Sequence, residues 1–194
     1  CGGLLPTTWR TERGLKMIIQ PSKSGCAGTG SNAYTAFSQN AKAIGFVAKR
    51  YTGIINMEDE SGHDADAFFE PVQEPQGGRL IVEPEEFYIF ASKERIRIPK
   101  HLAAEMCAYD VGIGELRTNY AGFFDNGFGG DDGTRAVLEV RPHDVPFLLE
   151  DGQVFFKLEF FKTQEPPEVV YGDNRLSSHY QGQALKLSKH FRPT

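Results

Sequence analysis

A carboxylate stands in the middle of "TRAVLEVR", residues 134–141, a stretch that otherwise has the makings of a strand. Ala136, Leu138 and Val140 alternate with Arg135, Val137, Glu139 and Arg141, the period of a half-buried strand. Glu139 then has two readings. In one it lies on a wet face between two arginines and does nothing. In the other that face lines a pocket, and Glu139 takes a proton from one reacting group and hands it to another, the work of a general acid–base.

Upstream, "YAGFFDNGFGG" sets Phe123, Phe124 and Phe128 around Asp125-Asn126-Gly127. An Asp that bonds neighbouring backbone and a Gly free to take positive φ make a well-formed turn. Downstream, the polar tail carries Tyr171, Tyr180, Gln181 and Gln183 and ends in the basic run Lys186, Lys189, His190 and Arg192. These side chains have the groups needed to close over a base and phosphates.

Other chemistries find little support. The five histidines occur in no His-x-Glu, and there is no Cys-x-x-Cys, so zinc hydrolase and zinc deaminase patterns are absent. His63, Asp64 and Asp66 in "GHDAD" read as a solvated turn rather than a metal site. No Gly-x-Ser-x-Gly is present, and Cys107 reads as a packing residue. "GCAGTGSN" lacks the Gly-Lys-Ser/Thr ending of a phosphate loop. Glu83, Glu85 and Glu86 around Pro84 read as an exposed turn.

The elements that must position these residues are short apolar runs broken by turns. Strands are expected in "AIGFVAKRYTGIINM", in "RLIV" and "FYIFAS" on either side of a Glu-Pro-Glu turn, in "RIRI" before Pro99, at the start of "RTNYAGFFDNGFGGDDG" ahead of its turn, and in the Glu139 run. Asp151-Gly152 has the form of a hairpin turn between "FLL" and "VFFKLEFF". Fifteen Phe and seven Tyr against one Trp suit aromatic strands. Helix is expected only near Asp64–Phe69 and Pro99–Met106. The pattern predicts an all-β fold, a sandwich or barrel with short helices. Residues 1–43, rich in Gly, Ser and Thr, read as an arm or inter-domain segment, 44–170 as the β-domain, and 171–194 as a tail.

A net charge of −5 argues against general nucleic-acid binding, which needs basic patches, but leaves room for a single nucleotide. No apolar run reaches membrane-spanning length and no signal peptide opens the chain, so no membrane partner and a cytoplasmic location are expected. Cys1, Cys26 and Cys107 are too few and too far apart for a disulfide framework. A chain that opens on Cys1 rather than Met is expected to be part of a longer protein.

Taken in order, "FFDNGF", "AVLEV", "VPFLLEDGQVFFKLEF" and "HYQGQ" resemble the dCTP deaminase family of the trimeric dUTPase-like superfamily. They match its Asp-Pro-Gly-Trp turn, its Val-Leu-Glu strand, its next two strands and its Tyr-x-x-Gln tail. The resemblance runs over roughly residues 44–190 and is strongest to the C-terminal half of the double-length bacterial form. It implies a distorted, jelly-roll-like β-barrel of the dUTPase type. It also implies hydrolytic deamination of dCTP to dUTP and ammonia by a Glu-activated water, with Mg²⁺ carried on the triphosphate and no zinc.

The family's roles fall on Glu139 as the catalytic carboxylate and on Val137 and Leu138 beside the base. Asp125 falls near the deoxyribose and Ala121 on a backbone position of the base pocket, while Tyr171 and Gln183 contact phosphates. The chain departs from the pattern where Ala108 and Gly112 replace a phosphate-binding Ser and Arg, and where His179 replaces a tail Lys. Family sites are shared between subunits or halves, so a homotrimer, or a pseudo-trimer with a second homologous half, is the implied assembly. Two other readings stay open: a dUTP diphosphatase or bifunctional relative, and a non-catalytic half-domain that completes a partner's site.

Overall fold

The computed structural model describes residues 9–10, 15–16, 43–108, 116–118, 122–151, 153–176, 178, 180–181 and 185–192. Its strands, in chain order, are β1 (Trp9–Arg10), β2 (Leu15–Lys16), β3 (Ala43–Ala48), β4 (Phe69–Gln73), β5 (Arg79–Val82) and β6 (Tyr88–Ile96). They continue with β7 (Leu102–Ala108), β8 (Leu116–Thr118), β9 (Phe123–Phe124), β10 (Thr134–Pro142), β11 (Phe147–Glu150) and β12 (Val154–Lys162). Helix among the described residues is confined to two short 3₁₀ turns, Ala65–Ala67 and Gln76–Gly78.

One sheet runs β1-β12-β7-β9 with β2 also on β12, a second runs β4-β3-β6-β10-β8, and β11 pairs with β5. Neighbouring strands are antiparallel throughout these pairings. The first two sheets close over one core in which Phe90, Leu138, Val140, Phe156 and Leu158 are buried. The all-β expectation holds, and β1 and β2 bring part of the N-terminal stretch onto β12.

Two local expectations fail. Pro99–Met106 is not a helix: Leu102 N–H closes a turn onto Pro99 O at 3.0 Å, and β7 follows at once. Its alanines are good helix formers, but β7 has strand partners on both sides, β12 and β9, and that pairing overrides local propensity. The second failure is at residues 150–153. Gln153 N–H reaches Glu150 O at 3.0 Å, and Gly152 lies outside the described residues. The flanking strands do not pair: β11 goes to β5 and β12 to β7. A hairpin turn signal sets a reversal of direction, and here the reversal is a corner between sheets.

The strand expected in two pieces around residue 93 is a single β6 interrupted by a bulge. Arg135 stands opposite Arg95, but Val137 stands opposite Ala91, so three residues of β6 face Ala136 alone. Ser92, fully buried, fills the gap. Its hydroxyl donates to Glu94 O at 2.7 Å and accepts from Ala136 N–H at 2.9 Å, replacing ladder bonds the bulge removes. Ser92→Ala strands two backbone groups and is expected to cost about 1–3 kcal/mol. Urea unfolding at neutral pH reads this as a lower midpoint at unchanged slope.

Candidate active site

β10 is covered on both faces. Thr134, Ala136, Leu138, Val140 and Pro142 point into the main core, while Arg135, Val137 and Glu139 are half-buried on the other side. Val137 packs there against a second apolar cluster built from Phe46, Ile89, Leu187 and Phe191. Glu139 pairs across the ladder with Ile89 of β6. The alternation that made Glu139 conspicuous therefore aims it at a face roofed by the C-terminal tail.

The flanking arginines have their own work. Arg141 hydrogen-bonds Glu85 at 2.8 Å, and Arg135 donates to Ser92 O at 2.9 Å. Partial burial, and then the charge of Arg95, lower the pKa of the Arg135 guanidinium.

The turn after β9 forms the adjoining wall. Phe128 N–H bonds Asp125 O at 3.0 Å, and Gly127 takes φ 84° to complete the bend. Gly129, at φ 89°, lies so close to β6 that a Cβ would fall 2.1 Å from Ile96 O, so only glycine fits. Phe128 is buried edge-on against Phe124, centroids 4.9 Å apart, and its other side meets Tyr171 at 5.4 Å. Tyr171 N–H bonds Asn126 O at 2.9 Å, which brings the tail to the turn.

The tail then crosses the second face of the β3-β6-β10 sheet. Leu187 and Phe191 are buried beneath it, and Phe191 forms a parallel bridge with His63. Backbone bonds from Ser61 to Lys189 O (2.9 Å) and from His63 to His190 O (3.1 Å) hold the register. Ion pairs Lys189–Glu60 and Arg192–Asp64 flank them. His63, once a metal candidate, accepts from Asn56 N–H at 3.0 Å and lies against the rings of Phe68 and Phe191. Together with the Asp64 pair, this makes "GHDAD" a docking site for the tail.

Between sheet, turn and tail lies a pocket of about 530 Å³. Glu139, Val137, Asp125 and Tyr171 all line it, as do Tyr180 and Lys186. Four of the sequence-selected residues thus converge although they come from three separate segments. Leu138 does not reach it; its side chain is 1% exposed in the main core. Ala108 ends β7, and Ala121, Gly112, His179 and Gln183 lie outside the described residues. The sequence offered no means of placing Lys186 here, since nothing in a basic run says which member turns inward. Phe69, Phe87 and Ile89 were also missed as pocket walls; their signal is the apolar second face of β4 and β6.

Both pocket phenols are held protonated. Burial raises the pKa of Tyr171 most, and the charge of Asp125 adds to it, against a lowering contact from the Tyr180 backbone. Burial likewise leads for Tyr180, followed by Tyr171 and Glu139. The described lining includes no His or Cys, the donors a zinc site draws on. Among the described residues a three-ligand cluster does occur at Glu85, His143 and Asp144, exposed and outside this lining.

Antiparallel sheets closed over one core, with a carboxylate-bearing pocket under the tail, define a dUTPase-like β fold. The model of the 2'-deoxycytidine 5'-triphosphate deaminase (DCD) C-terminal domain matches residues 15–191, and the chain belongs to that family. The match begins well upstream of residue 44, where the sequence motifs start.

A dCTP deaminase, dUMP-forming, from Corynebacterium diphtheriae is 33% identical over 115 residues, 58% of this chain and 59% of that protein. One of the same name from Methanobrevibacter smithii is 27% identical over 172 residues, covering 87% and 84% respectively. The crystal structure of 2'-deoxycytidine 5'-triphosphate deaminase from Agrobacterium tumefaciens superposes with a TM-score of 0.66 at 39% identity. That alignment covers 80% of this chain and 42% of the Agrobacterium chain. The chain thus spans about 59% of the Corynebacterium relative and well under half of the double-length structure.

Phe191 is the tail's main anchor, packed edge-on against Phe68 and Phe69 at 5.6 and 5.4 Å. Phe191→Ala is expected to cost roughly 3 kcal/mol and to expose residues 185–192 to limited proteolysis. Mass spectrometry of the cleavage products checks this against the wild-type chain.

Proposed function

We propose that the chain carries the reacting carboxylate of a hydrolytic dCTP deaminase, with Glu139 as the proton carrier. The observation that supports this most is the convergence of Glu139, Asp125 and Tyr171 on one pocket in a chain of the deaminase family. Water attacks C4 of the cytosine ring and loses a proton to Glu139 as the C–O bond forms and the C4=N3 π bond opens, and Glu139 passes that proton to N3. Glu139 then takes the remaining proton of the C4 hydroxyl and delivers it to the exocyclic amine, so that the C=O bond forms, the C–N bond breaks, and ammonia leaves. The pocket's donor types suit this metal-free route to water activation.

Val137 lines the same pocket as the carboxylate and offers an apolar contact for the base, and Asp125 lies at the turn where the sugar would sit. Leu138 can contribute only its backbone, since its side chain serves the core. The substrate is taken as the magnesium complex of dCTP. Among the described lining residues one lysine, Lys186, stands with two carboxylates, so these residues alone do not compensate the triphosphate charge and magnesium on the nucleotide adds to them. The Ser and Arg missing at Ala108 and Gly112 are assigned to a neighbouring copy or a second homologous half. Phe123, 60% exposed at the pocket rim, marks the side left open.

The relatives' printed name adds a second reading, in which pyrophosphate is also released and the product is dUMP. Asp125, exposed on the same pocket, is the residue placed to orient that second water.

Incubation with dCTP and Mg²⁺, scored for ammonia and pyrophosphate, separates these readings. Ammonia with dUTP supports deamination alone, and ammonia with stoichiometric pyrophosphate supports the dUMP-forming course. Glu139→Gln is expected to lower ammonia release at least about 100-fold with dCTP binding retained by calorimetry. Substantial residual deamination in that variant would remove Glu139 from its role.

A further inference from the structure

Tyr180 lines the same pocket as Glu139, and the fold takes unusual care over where it sits. Its own N–H donates to Tyr171 Oη at 3.3 Å, and Oε1 of the next residue, Gln181, accepts from Gly129 N–H at 3.2 Å. The Gln181 amide rests between two glycines. A Cβ on Gly130 or Gly172 would stand only 2.9 or 2.5 Å from its Nε2. Gly172 is itself at φ 87°, with its N–H bonded to Ser178 Oγ at 2.8 Å. Tyr171, the other anchor, is tied to Asn126, and its ring lies tilted against Phe128. Residues 180–181 are therefore clamped to the turn that carries Asp125.

The titratable groups lining this pocket with the phenol are Glu139 from β10, Asp125 from the turn after β9, and Tyr171 and Lys186 from the tail. Electrostatic coupling to the phenol comes from Tyr171 and from Glu139. A protonated phenol and a carboxylate that line one pocket are a hydrogen-bond donor and an acceptor in the same cavity. We propose that Tyr180 is a positioning residue for Glu139: the tail presents its O–H to the carboxylate and sets the orientation from which Glu139 exchanges protons. This rests on the reading of Glu139 as the proton carrier. It makes tail docking part of assembling the reactive group, beyond roofing the pocket.

The test has two arms, one independent of turnover. In protein labelled with ¹³C at tyrosine Cζ, the Tyr180 resonance is assigned by its loss in Tyr180→Phe and followed through alkaline titration. Replacing the carboxylate in Glu139→Gln removes a negative neighbour, so the Tyr180 phenol is expected to ionise at lower pH than in the wild type. An unchanged midpoint would overturn the proposal, whatever the activity of either protein.

In the second arm, Tyr180→Phe keeps the ring and loses only the donor. It is expected to lower kcat about tenfold, the worth of one hydrogen bond to a charged group. KM for dCTP should change little, and the acidic limb of the pH–rate profile should move to higher pH. A superimposable profile, or a loss confined to KM, would reduce Tyr180 to a packing or substrate contact. Failure of the Glu139 assignment shows separately, as deamination that survives Glu139→Gln.

Discussion

The site depends on one constraint, the burial of β10 on both faces. A strand covered on one side leaves its outward residues in water, and a glutamate there is unremarkable. Here the even-numbered residues fill the main core, and Val137 on the odd face meets a second apolar cluster. A carboxylate sealed into such a face without partners would cost several kcal/mol. The sheet tolerates Glu139 because the roof over its position is a pocket whose wall also carries Asp125, Tyr171, Tyr180 and Lys186, rather than close packing. The bulge pinned by Ser92 lets β6 follow β10 across its full length, so that Ile89 and Glu139 arrive side by side on that face.

What holds the roof in place is decided by magnitudes. The ion pairs Lys189–Glu60 and Arg192–Asp64 are at least half exposed on every partner, and such pairs contribute about 0–1 kcal/mol each. Leu187 and Phe191 are almost fully buried, and burial of that kind contributes roughly 1.5–3 kcal/mol per side chain. Apolar burial therefore anchors the tail, while the ion pairs and the parallel bridge with His63 select its register. A consequence for charge follows. Two of the cations in the basic run are already matched by carboxylates of the body, and Lys186 is the member that the docked register carries to the pocket wall.

The parts of this arrangement that were legible in the sequence are those written in local period. Alternation alone identified β10 and singled out Glu139, and Asp125-Asn126-Gly127 declared its turn through residue types that only such a bend requires. The parts that stayed hidden are long-range. Nothing near residue 191 announces that its ring will lie against His63 and Phe68, because that contact spans most of the chain and depends on a surface made by other strands. The same limit explains Pro99–Met106, where alanines suggested helix until two strand partners claimed them. It also explains Asp151-Gly152, where the pairing of the flanking strands was set elsewhere. Leu138 shows the limit from the other side: motif position put it beside the base, yet its parity on β10 sends its side chain into the core.

In the proposed reading, the composition of the pocket separates two tasks that a nucleotide hydrolase must perform. Carboxylates, protonated phenols and an apolar wall suit the handling of a neutral base and of protons at its ring. Among the described lining residues a single lysine stands with two carboxylates, which alone leaves a triphosphate's charge largely uncompensated. In the proposed reading, base chemistry belongs to this chain's own β10, turn and tail, and phosphate recognition is completed by magnesium and by residues across the open rim at Phe123.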